Sequence, residues 1–563
     1  MTSVQGKPSE TRFRSWKILL GILLLALWTC VAAMAQGHAT HSAAKPATLM
    51  SGIGDLEHPV TTSSPEAQQF FNQGLRLIFA FNHDEAARSF QRAAELDPKM
   101  AMAYWGIAEA IGPNYNDPAS DERFQRAHEA IQKAVELSGL VSAPEREYIL
   151  TLATRFPAAG SDRRKAAEQY RDAMRELANK HADDLDAATL FAEAGMNLHP
   201  WGLWMQDGAP REGTEEIVAT LESVLKREPN HMGANHYYIH AVEASRSPER
   251  ALAAANRLAA LAPAAGHLVH MPSHVYIRTG DYELAALINE KAAAADRAYI
   301  QSSGAQGMYP AMYYSHNLHF IACVASMSGD YAEAKKAAGM LANHVGQLVK
   351  DMPPLEAFMT IPLAVDVRFQ KWESILQTPQ PSADMKVTTA YWHFARGMAL
   401  SGAGKVSEAE AEYKAVTAVR DATPDDAIFA MPFNNHTRDI LGIASNVLGA
   451  KIAVARKDYD AAIGMLREAV AIEDRLNYGE PPDWFSPVRE SLGAALLMNG
   501  APTEAEKVFR EDLDRRPRNP RSLFGLQQAL KAQQRHYDAG LVQKRFQASW
   551  KGGDIELKVA DLI

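Results

Sequence analysis

Cysteine is nearly absent from this chain. Only Cys30 and Cys323 occur in 563 residues, and Cys30 lies in an apolar N-terminal run. A chain that loses this run cannot form an intrachain disulfide, whatever its compartment, so its stability has to come from packing. Excess basic charge is also missing. The 58 Lys and Arg are outnumbered by 67 Asp and Glu, a formal charge of −9, and there is no basic stripe or polybasic tail, which argues against nucleic acid as a partner. No period-2 apolar run is bounded by turn residues, so strands are not expected. The HExxH, P-loop, GxSxG, CxxCH and GxGxxG signatures are all lacking, which removes the common protease, nucleotide, hydrolase, haem and dinucleotide chemistries.

The N-terminus reads as an export signal. Arg12, Arg14 and Lys17 precede an apolar run from Ile18 to Ala33, and Ala33-Met34-Ala35 supplies a small-residue cleavage site. The run is shorter than the ~20 apolar residues of a spanning helix. The expectation is a signal over 1–35, an exported, periplasmic mature chain with no membrane span, and a flexible polar leader over 36–65 carrying His38, His41 and His58.

From residue 66 onward a helical repeat is legible. Phe70, Gly74, Leu77, Ala86, Phe90, Ala93 and Pro98 occupy the large, small and turn positions of a 34-residue helix-turn-helix unit. Weaker copies follow to about residue 550, with the last helix, near Gln543 to Trp550, as a polar cap. The expected fold is all-α: a tetratricopeptide solenoid over 66–563 with a concave groove. The mature chain also resembles exported bacterial tetratricopeptide proteins through the blocks DPKMAMAYWGIAEA, HYYIH, HLVHMPSHVYIRTGDY and EPPDWFSPVRESLG. The resemblance implies fold and export but no activity.

The repeat register collects histidines. His236 and His240 recur one 34-residue period later as His270 and His274. Aligning Gly280 with Gly329 carries His267, His270 and His274 onto His316, His319 and Cys323. The resemblance to tetratricopeptide arrays implies that repeat positions 2, 5 and 9 face the groove, so three adjacent helices would present seven imidazoles and one thiol there. Residues four apart share a helix face, and packed helices lie ~8–10 Å apart, so side chains of neighbouring repeats can converge on one ion. Imidazole and thiolate donors point to a transition metal, with zinc or copper the expected cofactor. Glu243, three residues beyond His240, is placed to orient an imidazole or to act as a base toward bound water. Pro272, between His270 and His274, complicates the same-face argument because proline removes a helix donor.

Two further segments lie nearby. The 301–314 insertion QSSGAQGMYPAMYY is either a lid or a long connection, and His199-Pro200-Trp201-Gly202-Leu203-Trp204 either reaches the groove mouth or packs between repeats. The leading reading is an exported repeat protein holding a transition metal through His236, His240, His267, His270, His274, His316, His319 and Cys323. The alternative is a periplasmic scaffold whose groove takes a peptide or partner helix, with histidines as polar contacts. A metal-dependent hydrolase or oxidase with Glu243 as base is the third reading, and no sequence feature names its substrate.

Overall fold

In the computed structural model, residues 1–2, 47–430, 435–552 and 556–563 are described. Residues 3–35 of the expected signal, with Cys30 and the cleavage site, and His38 and His41 lie outside them. The chain divides into two units, 1–46 and 47–563, and the second carries the repeats. Among the described residues it contains helices and three isolated bridges but no strand, and none of its helices is long and apolar enough to cross a membrane.

The repeat grammar acts through size matching. In the first hairpin, α1 (Pro65–Phe79) and α2 (His83–Leu96) pack through Phe90. A Cβ on Gly74 or Gly106 would stand 2.6 or 2.3 Å from its ring, so only glycine admits the phenyl group. The same device recurs near the C-terminus, where Phe509 is pressed between Gly493 and Gly525. Ser64 caps α1 by accepting from the Ala67 N–H, and Asn82 caps α2 by accepting from the Glu85 N–H. The turns inside the hairpins share one left-handed closure, with Gly280 at φ 78° and Gly329 at φ 93°. In the first hairpin that place is taken by Phe81 at φ 54°, a conformation that is uncommon for a bulky side chain.

Four further helices position the site: α3 (Met232–Val242), α4 (Gly266–His270), α5 (Pro272–Thr279) and α6 (Tyr282–Ser303). They are followed by a π-helical turn over Tyr309–Tyr314 and then α7 (Ser315–Ser328). Every residue of α3 is buried, as expected of a helix enclosed on all sides. One wall around it comes from far away in sequence. The Phe79 ring sits against Gly233, where a Cβ would meet it at 2.6 Å, and packs on Tyr237 with ring centroids 5.9 Å apart.

Residues 47–64, which belong to the expected leader, run along this packing. Ile53 is buried, the Ala264 N–H donates to the Gly52 carbonyl at 2.8 Å, and the Gln73 amide bonds to both Met50 N and Thr48 O. His58, expected to be solvated, is instead bonded through Nδ1 to Asp186 Oδ2 at 2.7 Å.

Candidate metal centre

Six of the eight predicted donors come together. His236, His240 and His267 form one group whose ligand atoms lie within 4.8 Å of one another, and His270, His274 and His316 form a second. The two groups adjoin, with ring centroids 5.6 Å apart for His240 and His274 and 5.8 Å apart for His267 and His270. Pro272 does not separate His270 from His274. It takes the first position of α5, where its missing N–H costs nothing, and the chain passes through Met271 in helical conformation. The two Nε2 atoms then face each other at 2.7 Å.

The open groove is corrected by the structure. His236 and His270 are 0% exposed, His240, His267 and His274 are buried as well, and only His316 is partly accessible. The first hairpin closes over the cluster. Phe81 stacks on His240 and His267, with interplanar angles of 19° and 18°, and meets His236 edge-on at 4.5 Å. Tyr115 covers His240 at 5.1 Å.

His319 and Cys323 are the other correction, since neither joins a group. On α7 the row that faces α4 and α5 runs from His316 one turn on to Phe320, whose ring lies 4.9 Å from that of His270 and 5.2 Å from that of His274. His319 packs instead against Phe358. Burial lowers its imidazole to about 3 and raises the Cys323 thiol to about 12, so Cys323 is protonated at neutral pH.

Most of the clustered rings are held from behind. His236 Nδ1 lies 2.7 Å from the Phe79 carbonyl, His270 Nδ1 lies 2.6 Å from Asn289 Oδ1, and His240 Nδ1 lies 2.8 Å from Glu243 Oε1. His274 Nδ1 bonds to Glu243 Oε2. Asn289 donates its own amide to the Ala285 carbonyl at 2.7 Å, which leaves Oδ1 as the acceptor toward His270. Each of these Nδ1 atoms therefore carries the hydrogen, and each Nε2 presents a lone pair to the interior. His240 Nε2 is buried without any hydrogen-bond partner among the described residues. Both oxygens of Glu243 are occupied behind the rings, which is an orienting position.

The electrostatics agree with neutral donors. Burial, followed by mutual repulsion, lowers His236, His267, His270 and His316 well below the ordinary imidazole value. Burial also lowers His240, although the nearby Glu243 charge works against it. Burial alone would raise the Glu243 carboxyl, but His274 and His240 outweigh it and hold the group low.

Sequence reasoning missed several partners. Phe79, Phe81 and Asn289 carry no motif, and their roles depend on tertiary contacts. The two undecided segments both reach the cluster. Trp201, at φ 58°, lies 5.6 Å from His240 and 6.3 Å from His274, and its Nε1 donates to Asn116 Oδ1 at 3.0 Å. The Asn116 amide in turn donates to the Tyr313 hydroxyl at 3.1 Å, and Tyr313 meets His267 edge-on at 4.9 Å. Trp204 instead packs between repeats, donating to the Ala241 carbonyl at 2.8 Å.

No family model matches the chain, and no curated protein sequence does. Among solved structures it is similar to the human IFIT1 dimer with m7Gppp-AAAA, at 12% identity over 87% of this chain and 91% of that one, with a TM-score of 0.31. It is similar to the APC/C heterotetramer Cut9-Hcn1 at 12% identity over 90% and 82%, TM-score 0.30, and to yeast Tom70 at 12% over 85% and 99%, TM-score 0.31. At these scores the similarities add nothing to the fold assignment, which rests on the helices and their contacts.

Proposed function

We propose that this protein binds a transition metal ion in the buried histidine cluster. The observation that carries the reading is the pair His270 and His274. Both Nδ1 hydrogens are committed to oxygen acceptors, so the two Nε2 atoms, 2.7 Å apart, turn lone pairs toward each other. A cation between them, or a trapped proton, reconciles that contact. Metal is favoured because His236 and His267 bring a second pair of Nε2 atoms to 3.1 Å alongside, and because His240 Nε2 is buried without a hydrogen-bond partner among the described residues. Imidazole donors suit zinc and copper, whose bonds of ~2.0–2.1 Å to nitrogen need only a small outward movement of these rings.

The purified protein is expected to carry or take up zinc or copper, and a His240→Ala/His274→Ala variant to lose it. Equal metal content in the two proteins, by elemental analysis after competition with a chelator, would reject the proposal.

Export belongs to the same proposal as the reading of residues 1–35, and N-terminal sequencing of the secreted protein tests it, with a start near Gln36 expected. A scaffold role for the helical repeats predicts partner capture that survives chelation. The buried histidines do not serve that role as groove contacts, so the partner would use another face.

A further inference from the structure

We infer that the cluster is a two-ion site, three imidazoles to each ion, with a shared position left for a small oxygen anion. The inference rests on the metal-binding reading above and goes further in number and chemistry. The two all-histidine groups, His236/His240/His267 and His270/His274/His316, share no residue, and His240 and His274, one from each, also group with Glu243. A closed site takes about four protein ligands, whereas three leave a position open. The His240 and His274 rings adjoin, linked from behind by the single carboxylate of Glu243. Two ions bound here would be neighbours, as in sites where paired metals hold one oxygen ligand between them.

Charge supplies the missing ligand. Six neutral imidazoles and one carboxylate leave two divalent ions far from compensated, in a site walled by Phe81, Tyr115 and Phe320. Uncompensated buried charge is costly, so the pair calls for an anion. The simplest is hydroxide, formed when a bound water releases a proton to solvent, its acidity raised by the ions. The partly exposed His316, together with Trp201 and Tyr313 on the side of the 301–314 insertion, marks the approach for small molecules.

The test is titration of the metal-stripped full chain with Cu(II), read by bound metal and by electron paramagnetic resonance, with azide as the anion probe. Two equivalents are expected, with most of the resonance lost through coupling of the two ions and an azide-dependent absorption change. His236→Gln/His267→Gln and His270→Gln/His316→Gln should each bind one equivalent and regain an uncoupled signal. One equivalent in the parent protein, abolished by either double variant, would overturn the two-ion inference while leaving metal binding intact. No binding at all would remove both. If a double variant fails to fold by circular dichroism, the stoichiometry and coupling of the parent protein decide alone.

Discussion

Gly266 lies so close to Asp296 that a Cβ built on the glycine would stand 1.8 Å from Oδ1. That carboxylate accepts from the Tyr309 hydroxyl at 2.9 Å and the Asn317 amide at 2.7 Å. It thereby ties the start of α4, the π-helical turn and α7 into one buried node. His267 and His316 are the chain neighbours of Gly266 and Asn317, so the node sets the positions of one donor from each triad.

Gly266→Ala is therefore expected to destabilise the fold by about 1–3 kcal/mol, the usual cost of overpacking, and to weaken metal binding as well. Chemical denaturation and metal competition measure the two effects. An unchanged midpoint would show that the node relaxes without cost.

Glu243→Gln keeps the size of the side chain but leaves one acceptor oxygen for two Nδ1 donors. Loss of such an orienting contact costs about 10–100-fold in metal affinity. Competition against a coloured chelator should report a drop in that range with the helical content unchanged. Parent-like affinity would mean that the other contacts suffice to aim the rings.

Trp201 is the indole packed against the donors, so Cu(II) should quench part of the tryptophan emission, and Trp201→Phe should remove most of that quenching while retaining metal. Equal fractional quenching in the two proteins would place the bound ion elsewhere.

The His58 contact predicts an opposite trend to the cluster with pH. Burial alone would lower His58, but the hydrogen bond and charge of Asp186 raise it above its ordinary 6.5. Burial would likewise raise Asp186, but the hydrogen bonds from His231 and His58 hold it at about 2. The His58 contribution is fully present below its unfolded value and is lost as pH rises through the raised folded value. The Asp186 contribution is present above its unfolded value and is lost as pH falls toward about 2. The lowered cluster histidines act in the other direction, losing stability as pH falls below the ordinary imidazole value. The informative quantity is thus the difference between parent and His58→Gln in denaturation midpoint, which should be larger near pH ~5.5 than near pH ~8. A difference independent of pH would mean that His58 contributes packing alone.

The repeat was readable because size constraints recur. Phe90 needs Gly74 and Gly106, and this large-small spacing is visible without a structure. The histidine period was readable for the same reason, and it led to His236, His240, His270 and His274. At α7 the alignment brought His316 to the cluster but not His319, which packs on Phe358, nor Cys323, which lies two turns and so ~10 Å further along the helix. Enclosure of the cluster was not legible. The pairing of Phe79 with α3 joins segments with no common spacing, and the left-handed Phe81 looks like any turn residue. Asn289 lies on the following helix, where nothing local marks it as the partner of His270.

The bond between the Phe79 carbonyl and His236 spans 157 residues, and this bears on how the chain folds. Repeat arrays generally gain stability between neighbours, so their ends can fray or nucleate independently. Here the donor set is oriented and enclosed only after the first hairpin has found the middle of the chain, a long loop closure that comes at an entropic cost. A bound ion would favour that closed state by mass action, which makes metal loading a control on cooperativity: the N-terminal hairpin and α3 to α7 would melt together when loaded and separately when stripped.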